Sequence, residues 1–304
     1  MDRIPGAEHA ANCLAMLVRE FGHLVEPTRL VAHGSPAWRD QHDRRGDIPE
    51  RLARQAAEQA ILTCATMTEV ARSLAALYGT SDEGGLTIGH LPLVRSIMEG
   101  AGQVTWLING DGLGTLPDMR PEATRERAVR AALLWERCLK VAVGDFKAQQ
   151  LSDHEAHAQA LLDGWRTDMT AALGPSVKGA TAGIKFPSLT DMAKQGTRFA
   201  WMTWPAGREP IHVYAYMSSV AHSRLYQLLP ELTAEGATHI DFHVAPVPLE
   251  VTASGVAAAW AVLRAFELTA VYVGWPTDGF GGIAGWLHGL DAYVADRTGP
   301  EAPE

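Results

Sequence analysis

Apolar residues recur every three or four positions through most of this 304-residue chain, which is the spacing of helices that bury one face. One such segment spans residues 50–78 and aligns on one side the apolar residues Leu52, Ala56, Ala60, Cys64, Met67 and Val70. The chain shows neither an internal repeat nor the alternation of strands and helices that a parallel sheet requires. The pattern therefore predicts an all-α fold, a multi-helix bundle of about eight helices with at most one short strand.

Glycine, proline and capping residues mark the ends of the predicted helices. Ser152 and Glu155, for example, have the spacing of a capping box. The predicted helices cover residues 7–24, 50–78, 91–108, 121–149, 152–172, 189–195, 211–229, 250–273 and 281–295. A polar N-terminal connection covers residues 25–48, and residues 296–304 are predicted to form a flexible tail. We expect a single helical domain over residues 1–304.

The formal net charge of −9 is unfavourable for an extended nucleic-acid surface, which would require a basic patch or stripe. A local cleft that binds RNA is still compatible with this charge. The most apolar segment, residues 256–275, carries Arg264 and Glu267 near its middle, so we expect a buried helix there and no membrane partner. The first residues lack the basic-then-apolar pattern of a signal peptide, which predicts a cytoplasmic protein.

Three cysteines, Cys13, Cys64 and Cys138, lie far apart in apolar helical segments. An odd number of cysteines without the spacing of a metal or redox motif is typical of reduced thiols. We therefore expect three buried, unpaired thiols in a cytoplasmic protein.

Two predicted helices that are far apart in the sequence carry a polar stripe where a core-facing side should be apolar. The stripe of the first helix contains Arg95, Glu99, Gly102 and Trp106. The stripe of the second helix contains Ser218 or Ser219, together with His222 and Tyr226. If the two faces meet, the chain buries a polar cluster made of Arg95, Glu99, Ser218 and His222. A buried charge is costly unless it is paired, so this cluster needs a catalytic or a structural role.

The cluster contains the groups that general acid–base catalysis uses. His222 would titrate near neutral pH, Glu99 could fix its tautomer, and Ser218 could supply a hydroxyl group. Arg95 can pair with Glu99, which lies four residues later on the same helix. The alternative is a fully hydrogen-bonded network that fixes the register of two helices. The aromatic residues near the cluster are the candidates for substrate binding: Trp106, Tyr216 and Tyr226.

The segment Leu93-Val-Arg95-Ser-Ile-Met-Glu99, followed by Trp106, and the later segment Tyr214-x-x-x-Ser218-x-x-x-His222 resemble a large family of bacterial helical proteins. In that family an Arg-x-x-x-Glu helix is paired with a Ser-x-x-x-His helix. More distantly, the segments resemble the HEPN (higher eukaryote and prokaryote nucleotide-binding) helical proteins. Many HEPN proteins are RNases or nucleotidyl-transfer partners in defence and toxin systems. The resemblance therefore implies a helical fold and an association with nucleotides or RNA.

The chain departs from the HEPN pattern at one position that matters for RNA cleavage. HEPN RNases carry an Arg a few residues before the His of the same helix. At the positions before His222 that would carry this Arg, the chain has Ala215, Tyr216 and Met217, so the Arg is missing. The resemblance consequently implies the fold more strongly than it implies RNA cleavage.

His239, Asp241 and His243 alternate along the one predicted extended segment, so their side chains would share one face of a strand. Two imidazoles and one carboxylate suit Zn²⁺ or non-haem iron. The alternative is an edge strand in which these three residues form the polar outer face while Ile240 and Phe242 turn to the core. Beyond this candidate metal site, the cofactors are unknown and the sequence implies none.

Three functions are open on these grounds. The first is a HEPN-like protein of the defence or regulatory type that acts on a nucleotide or RNA. The second is a small-molecule enzyme or binder with a pocket between helices around Glu99 and His222. The third is a non-catalytic interaction protein whose polar cluster is structural. A homodimer or another homo-oligomer is compatible with each of them.

Overall fold

The structure, a computed structural model, describes residues 5–25, 31–42, 50–79, 90–110, 112, 114, 116–173, 183–200 and 248–298. Within these ranges the chain forms nine helices and no strand, which confirms the predicted all-α multi-helix bundle. The helices are α1 (Pro5–Leu24), α2 (Pro36–His42), α3 (Glu50–Gly79), α4 (His90–Asn109), α5 (Pro121–Ala148), α6 (Ser152–Leu173), α7 (Leu189–Ala200), α8 (Pro248–Val273) and α9 (Asp278–Thr298).

Most predicted helix boundaries agree with the structure to within a few residues, and two regions differ from the expectation. The predicted polar connection over residues 25–48 contains the short helix α2, and α9 continues to Thr298, into the predicted tail. The predicted helix over residues 211–229 and the predicted strand near residue 241 lie outside the described residues.

Helix α8 lies at the centre of the main core and contacts α1, α2, α3, α4, α7 and α9. Its large side chains Trp260, Phe266 and Tyr272 are almost completely buried. Arg264 and Glu267, the two charges in this apolar helix, form an ion pair of 2.7 Å at the edge of the core. The pairing offsets part of the cost of placing two charges in a helix this apolar.

Two described segments, Leu52–Gly79 and Val251–Val273, are long and apolar enough to cross a membrane. The most apolar window of the second segment is 83% buried inside the protein, as expected for a core helix. Core helices and membrane spans share this length and composition, so the predicted cytoplasmic location stays a prediction.

Helices α5 and α6 form a hairpin that packs against Leu52 of α3 in a second, small core, which contains Leu52, Ala128, Ala132, Leu139, Leu162, Trp165 and Met169. On α5, Leu139 turns toward this core, whereas the neighbouring Cys138 is exposed. The prediction of a buried thiol at Cys138 was therefore wrong, because apolar residues occupy more than one side of this helix. Cys13 and Cys64 are buried, as predicted.

A buried ion pair joins α2 to the bundle. Arg127 of α5 donates two hydrogen bonds to the carboxylate of Asp40, of 2.6 and 2.8 Å. The same carboxylate accepts hydrogen bonds from the hydroxyl groups of Thr124, at 2.7 Å, and Tyr272, at 2.9 Å. Arg127 also donates a hydrogen bond to the carbonyl of Asp118. The two buried charges are therefore paired with each other, and both groups make further hydrogen bonds.

Candidate functional site

The candidate site is a cavity beside the crossing of α4 and α7, which approach each other backbone to backbone. Gly102 of α4 lies against the carbonyl of Met192, and Gly196 of α7 lies against the carbonyl of Met98. A Cβ atom at either glycine would collide with the backbone of the other helix. Glycine at both positions is therefore what allows α7 to lie directly on α4.

A cavity of about 630 Å³ opens beside this crossing, a size within the usual range for small-molecule sites. Its described lining consists of one residue of α4, one turn after Gly102, the segment that precedes α7 and the polar face of α7: Trp106, Lys185, Phe186, Pro187, Asp191, Lys194, Gln195 and Arg198. Three of these side chains are cationic and one is anionic, so the described lining is positive in a chain whose net charge is −9.

The positive charge comes from a strongly amphipathic helix. Helix α7 buries Met192, Ala193, Gly196, Thr197, Phe199 and Ala200, and it leaves Lys194 and Arg198 exposed one turn apart on the opposite side. Side chains four residues apart on a helix are neighbours, so Lys194 and Arg198 line the same part of the cavity. Lys185 adds a third cation from the preceding segment.

Asp191, the one carboxylate among the described lining residues, is engaged at the start of α7. The Ser188 hydroxyl donates a 2.7 Å hydrogen bond to Asp191, and the Asp191 backbone N–H donates to that hydroxyl at 3.1 Å. This is a reciprocal cap of the kind that begins many helices. Hydrogen bonds from Ser188 hold the pKa of Asp191 below its ordinary value, so the carboxylate is ionised at neutral pH. The carboxylate keeps its negative charge, and the three cations of the described lining outnumber it.

Two aromatic rings form the apolar part of the lining. Trp106 and Phe186 meet edge to face, with ring centroids 5.2 Å apart and planes inclined by 71°. The guanidinium of Arg137 on α5 lies 5.4 Å from the centroid of the Phe186 ring. An arginine at this distance makes a cation–π contact, so Phe186 is held between α4 and α5.

The end of α4 next to the cavity is fixed by side chains of other helices. Gln195 donates a 2.7 Å hydrogen bond to the carbonyl of Gly110, which has a positive φ of 64° just after α4. Arg130 of α5 donates to the carbonyls of Leu107 and Ile108, at 3.1 and 3.4 Å. These bonds satisfy carbonyl groups that a helix C-terminus leaves without partners within the helix. The wall of the cavity that carries Trp106 is therefore held in place.

Of the predicted polar cluster, Arg95 and Glu99 belong to the described residues. They form an ion pair of 2.8 Å on α4, with side chains 14% and 21% exposed, so the expected pairing is present. Ser218 and His222 lie outside the described residues, and their meeting with this pair stays a prediction. A catalytic role for the cluster likewise stays a prediction.

Trp106, a predicted substrate-binding residue, lines the cavity, but Arg95 and Glu99 do not. Trp106 lies seven positions after Glu99, which is about 10 Å along a helix. The other two aromatic candidates, Tyr216 and Tyr226, lie outside the described residues. One face of α4 thus carries two separate features, an ion pair toward its start and a cavity wall toward its end.

Within the described part of the chain, no group of three or more His, Cys, Asp and Glu side chains is arranged to hold a metal ion. The proposed metal ligands His239, Asp241 and His243 lie outside that part. The metal site therefore stays a prediction.

Three cationic residues of the cavity, Lys185, Lys194 and Arg198, were not among the site residues predicted from the sequence. A signal was present, since Ser188 and Asp191 have the spacing of a helix cap and Lys194 and Arg198 follow on one face of that helix. The position of Lys185 depends on the path of the segment before α7, for which the sequence carries no comparable pattern.

Comparison of the chain with models of protein families, with curated proteins and with solved structures finds no match. The resemblance to HEPN-like proteins is therefore neither supported nor contradicted by a relative. The geometry of the cavity is the basis on which a function can be proposed.

Proposed function

We propose that this protein binds a nucleotide, an anionic ligand with an aromatic base, in the cavity between α4 and α7. One observation carries the proposal: a cavity of about 630 Å³ joins an aromatic pair, Trp106 and Phe186, to three cations. Trp106 is only 4% exposed and backs the partly exposed ring of Phe186, which is the ring that can stack on a base. Lys and Arg side chains bind phosphate groups. A nucleotide is the common class of small molecule that presents both groups on one scaffold.

The charge of the whole chain supports a confined site rather than a long nucleic-acid surface. With a net charge of −9, most of the protein repels a polyanion, and the cations of α7 create a local exception. A mononucleotide needs only such a local cluster, whereas duplex or long single-stranded RNA requires a basic track. The proposal agrees with the nucleotide association that the HEPN-like resemblance implies, and it requires no nuclease activity.

Direct binding measurements test the proposal. We expect AMP and ATP to bind more tightly than adenosine or inorganic phosphate, because only the nucleotides engage both the rings and the cations. Affinity should fall with added salt, since the ionic part of the interaction is screened. A double variant, Lys194→Gln with Arg198→Gln, should weaken ATP binding by about tenfold or more, because it removes two of the charge-assisted contacts.

A matched control removes two cations from other helices. Arg72→Gln with Lys140→Gln changes the net charge by the same amount on the exposed sides of α3 and α5, and ATP affinity should not change. The unfolding midpoint of each variant shows whether it is folded. Equal affinities for ATP in the cavity variant and the wild type would contradict the proposal. So would binding of a short RNA by a protein that binds no mononucleotide.

A further inference from the structure

Gln195 is the one amide side chain among the described residues that line the cavity. The charged groups of that lining are three cations and the carboxylate of Asp191, which is engaged in the helix cap. Cations suit the phosphate groups of a nucleotide, but contacts to phosphate carry no information about the base. An amide can bind the edge of a base, because it offers both a hydrogen-bond donor and an acceptor.

The hydrogen bond between Gln195 and the end of α4 fixes which way the amide points. Its Nε2 atom donates to the carbonyl of Gly110 over 2.7 Å. A carbonyl oxygen only accepts hydrogen bonds, so the opposite orientation of the amide would place two acceptors against each other. The nitrogen therefore faces Gly110, and the oxygen atom Oε1 is left for a ligand.

The Oε1 atom of Gln195 is an acceptor without a donor. None of the described residues donates a hydrogen bond to it, and it is open to solvent rather than buried. The Gln195 side chain is half-buried and lines the cavity, so this open acceptor belongs to the ligand site. Because the other end of the amide is already held by Gly110, a ligand that binds Oε1 does not have to order the side chain first.

The same hydrogen bond ties Gln195 to the aromatic part of the cavity. Gly110 follows Trp106 by one helical turn, and its backbone N–H donates a 2.9 Å hydrogen bond to the Trp106 carbonyl. Trp106 in turn meets Phe186, the ring on which a base can stack, edge to face. The amide of Gln195 is thus fixed to the end of α4 that backs this ring, where the base of a nucleotide would lie.

We infer that Gln195 binds the base of the nucleotide, with Oε1 accepting a hydrogen bond from an N–H group on the edge of the base. This role rests on the proposed nucleotide site and names the residue of that site that recognises the base. An exocyclic amino group or a ring N–H can supply the hydrogen. A phosphate oxygen of a nucleotide has no hydrogen to donate at neutral pH, so the phosphate groups cannot occupy this position. A base that carries only acceptors leaves Oε1 unpaired and binds more weakly.

Binding of nucleoside triphosphates to the wild-type protein tests this role without any substitution. Purine riboside triphosphate keeps the ring system and the phosphates of ATP, but its base carries no N–H group. We expect it to bind about tenfold more weakly than ATP, because it leaves the acceptor unpaired. 2′-Deoxy-ATP should bind as tightly as ATP, since the ribose is not the donor. ITP, whose base donates only from the ring, distinguishes a ring N–H from an amino group.

Gln195→Leu removes the amide and keeps a side chain of similar size. In this variant ATP should bind about tenfold more weakly than to the wild type, down to the affinity of purine riboside triphosphate. The affinity of the analogue itself should not change. The analogue is therefore an internal control for folding, because a distorted cavity would weaken both ligands. Gln159→Leu on α6 is the matched control, since that amide bonds to Asp163 of its own helix, and neither affinity should change.

The ratio of the two affinities separates failure of this role from failure of the nucleotide site. Equal binding of ATP and purine riboside triphosphate to the wild-type protein would overturn the role of Gln195 and leave the nucleotide site standing. So would a Gln195→Leu variant that prefers ATP by the wild-type ratio, because another residue would then bind the base. Weak binding of 2′-deoxy-ATP, with equal binding of the other two, would assign Oε1 to the ribose. A protein that binds none of these nucleotides would reject both proposals.

Discussion

Gly196 of α7 lies so close to Gly102 of α4 that a Cβ atom on Gly196 would stand 2.9 Å from the backbone nitrogen of Gly102. The carbonyl of Met98 is closer still to the same position. Backbone atoms cannot rotate away as a flexible side chain can, so any added Cβ must separate the two helices. The contact therefore fixes the distance between α4 and α7, and with it the width of the cavity that Trp106 lines.

Gly196→Ala should destabilise the protein, although alanine is the better helix former. The clash of the new methyl group with a packed backbone should cost about 1–3 kcal/mol. The gain in helix propensity of about 1 kcal/mol offsets only part of this cost. Urea unfolding measures the difference from the wild type. In the control Gly164→Ala, nothing lies within 4 Å of the new methyl group, and the free energy of unfolding should rise. A gain of stability in both variants would contradict the contact between α4 and α7.

Asp291 of α9 should make the free energy of unfolding depend on pH between about 4 and 6. Burial raises the pKa of this carboxyl from 3.8 to about 6, although the hydrogen bond from Trp260 Nε1, at 2.8 Å, and nearby His288 lower it. Because the folded pKa lies above the unfolded one, the folded state binds the proton more tightly. The stabilisation from that proton is complete below the unfolded pKa and is lost as the pH rises through about 6.

Asp291→Asn isolates this contribution, since asparagine retains an acceptor for Trp260 but cannot ionise. Between pH 4.5 and pH 7.5, the free energy of unfolding of the variant should rise by about 2 kcal/mol relative to the wild type. Other titrating groups affect both proteins alike and cancel in this comparison. Urea unfolding at the two pH values provides the measurement. A difference between variant and wild type that does not change with pH would show that Asp291 titrates normally.

The helices were predictable because helical period and end signals are local properties of the sequence. The seven-residue helix α2 was the exception. Helix α2, at residues 36–42, has only seven residues and is too short to show a periodic apolar face. Its position depends on the ion pair of Asp40 with Arg127, two residues 87 positions apart in the sequence. No local sequence pattern links Asp40 with Arg127, so the position of this helix could not be predicted from the sequence.

The candidate site was predictable only in part. The face of α4 that carries Trp106 and the pairing of Arg95 with Glu99 follow from helical spacing. The cavity itself requires α7 to lie on that face, which depends on a contact between Gly102 and Gly196 across 94 positions of sequence. A glycine that serves close packing looks the same in the sequence as one that ends a helix. The cationic residues beside Trp106 were for this reason not associated with it.

A single thiol per chain should react with Ellman's reagent while the protein is folded. Cys138 is exposed, whereas burial raises the pKa of Cys13 to about 11 and that of Cys64 to about 12. The thiolate is the reactive form, so the two buried thiols should react only after unfolding. Burial also raises the pKa of Cys138, and its reaction should accelerate as the pH rises. Cys138→Ser should leave no reactive thiol in the folded state, and reaction of that variant before denaturant is added would contradict the assignment.

Asp40 and Arg127 form a pair in which neither charge can be removed alone without a large loss of stability. Their side chains are 5% and 3% exposed, and Arg127 Nε lies 2.6 Å from Asp40 Oδ2. Asp40→Asn should leave the guanidinium buried without its counter-charge, and the free energy of unfolding should fall by about 3–5 kcal/mol. Arg127→Met should cost a similar amount, since it leaves the carboxylate unpaired.

The double variant Asp40→Asn with Arg127→Met should cost much less than the two single changes together, because it leaves no unpaired charge in the core. Urea unfolding of the four proteins measures this coupling. The exposed pair of Arg72 with Glu69, whose side chains are 61% and 67% exposed, provides the matched control. Its coupling should be below about 1 kcal/mol, because solvent screens both charges. Additive losses at Asp40 and Arg127 would mean that the two charges stabilise the protein independently, and the attachment of α2 through their pairing would be refuted.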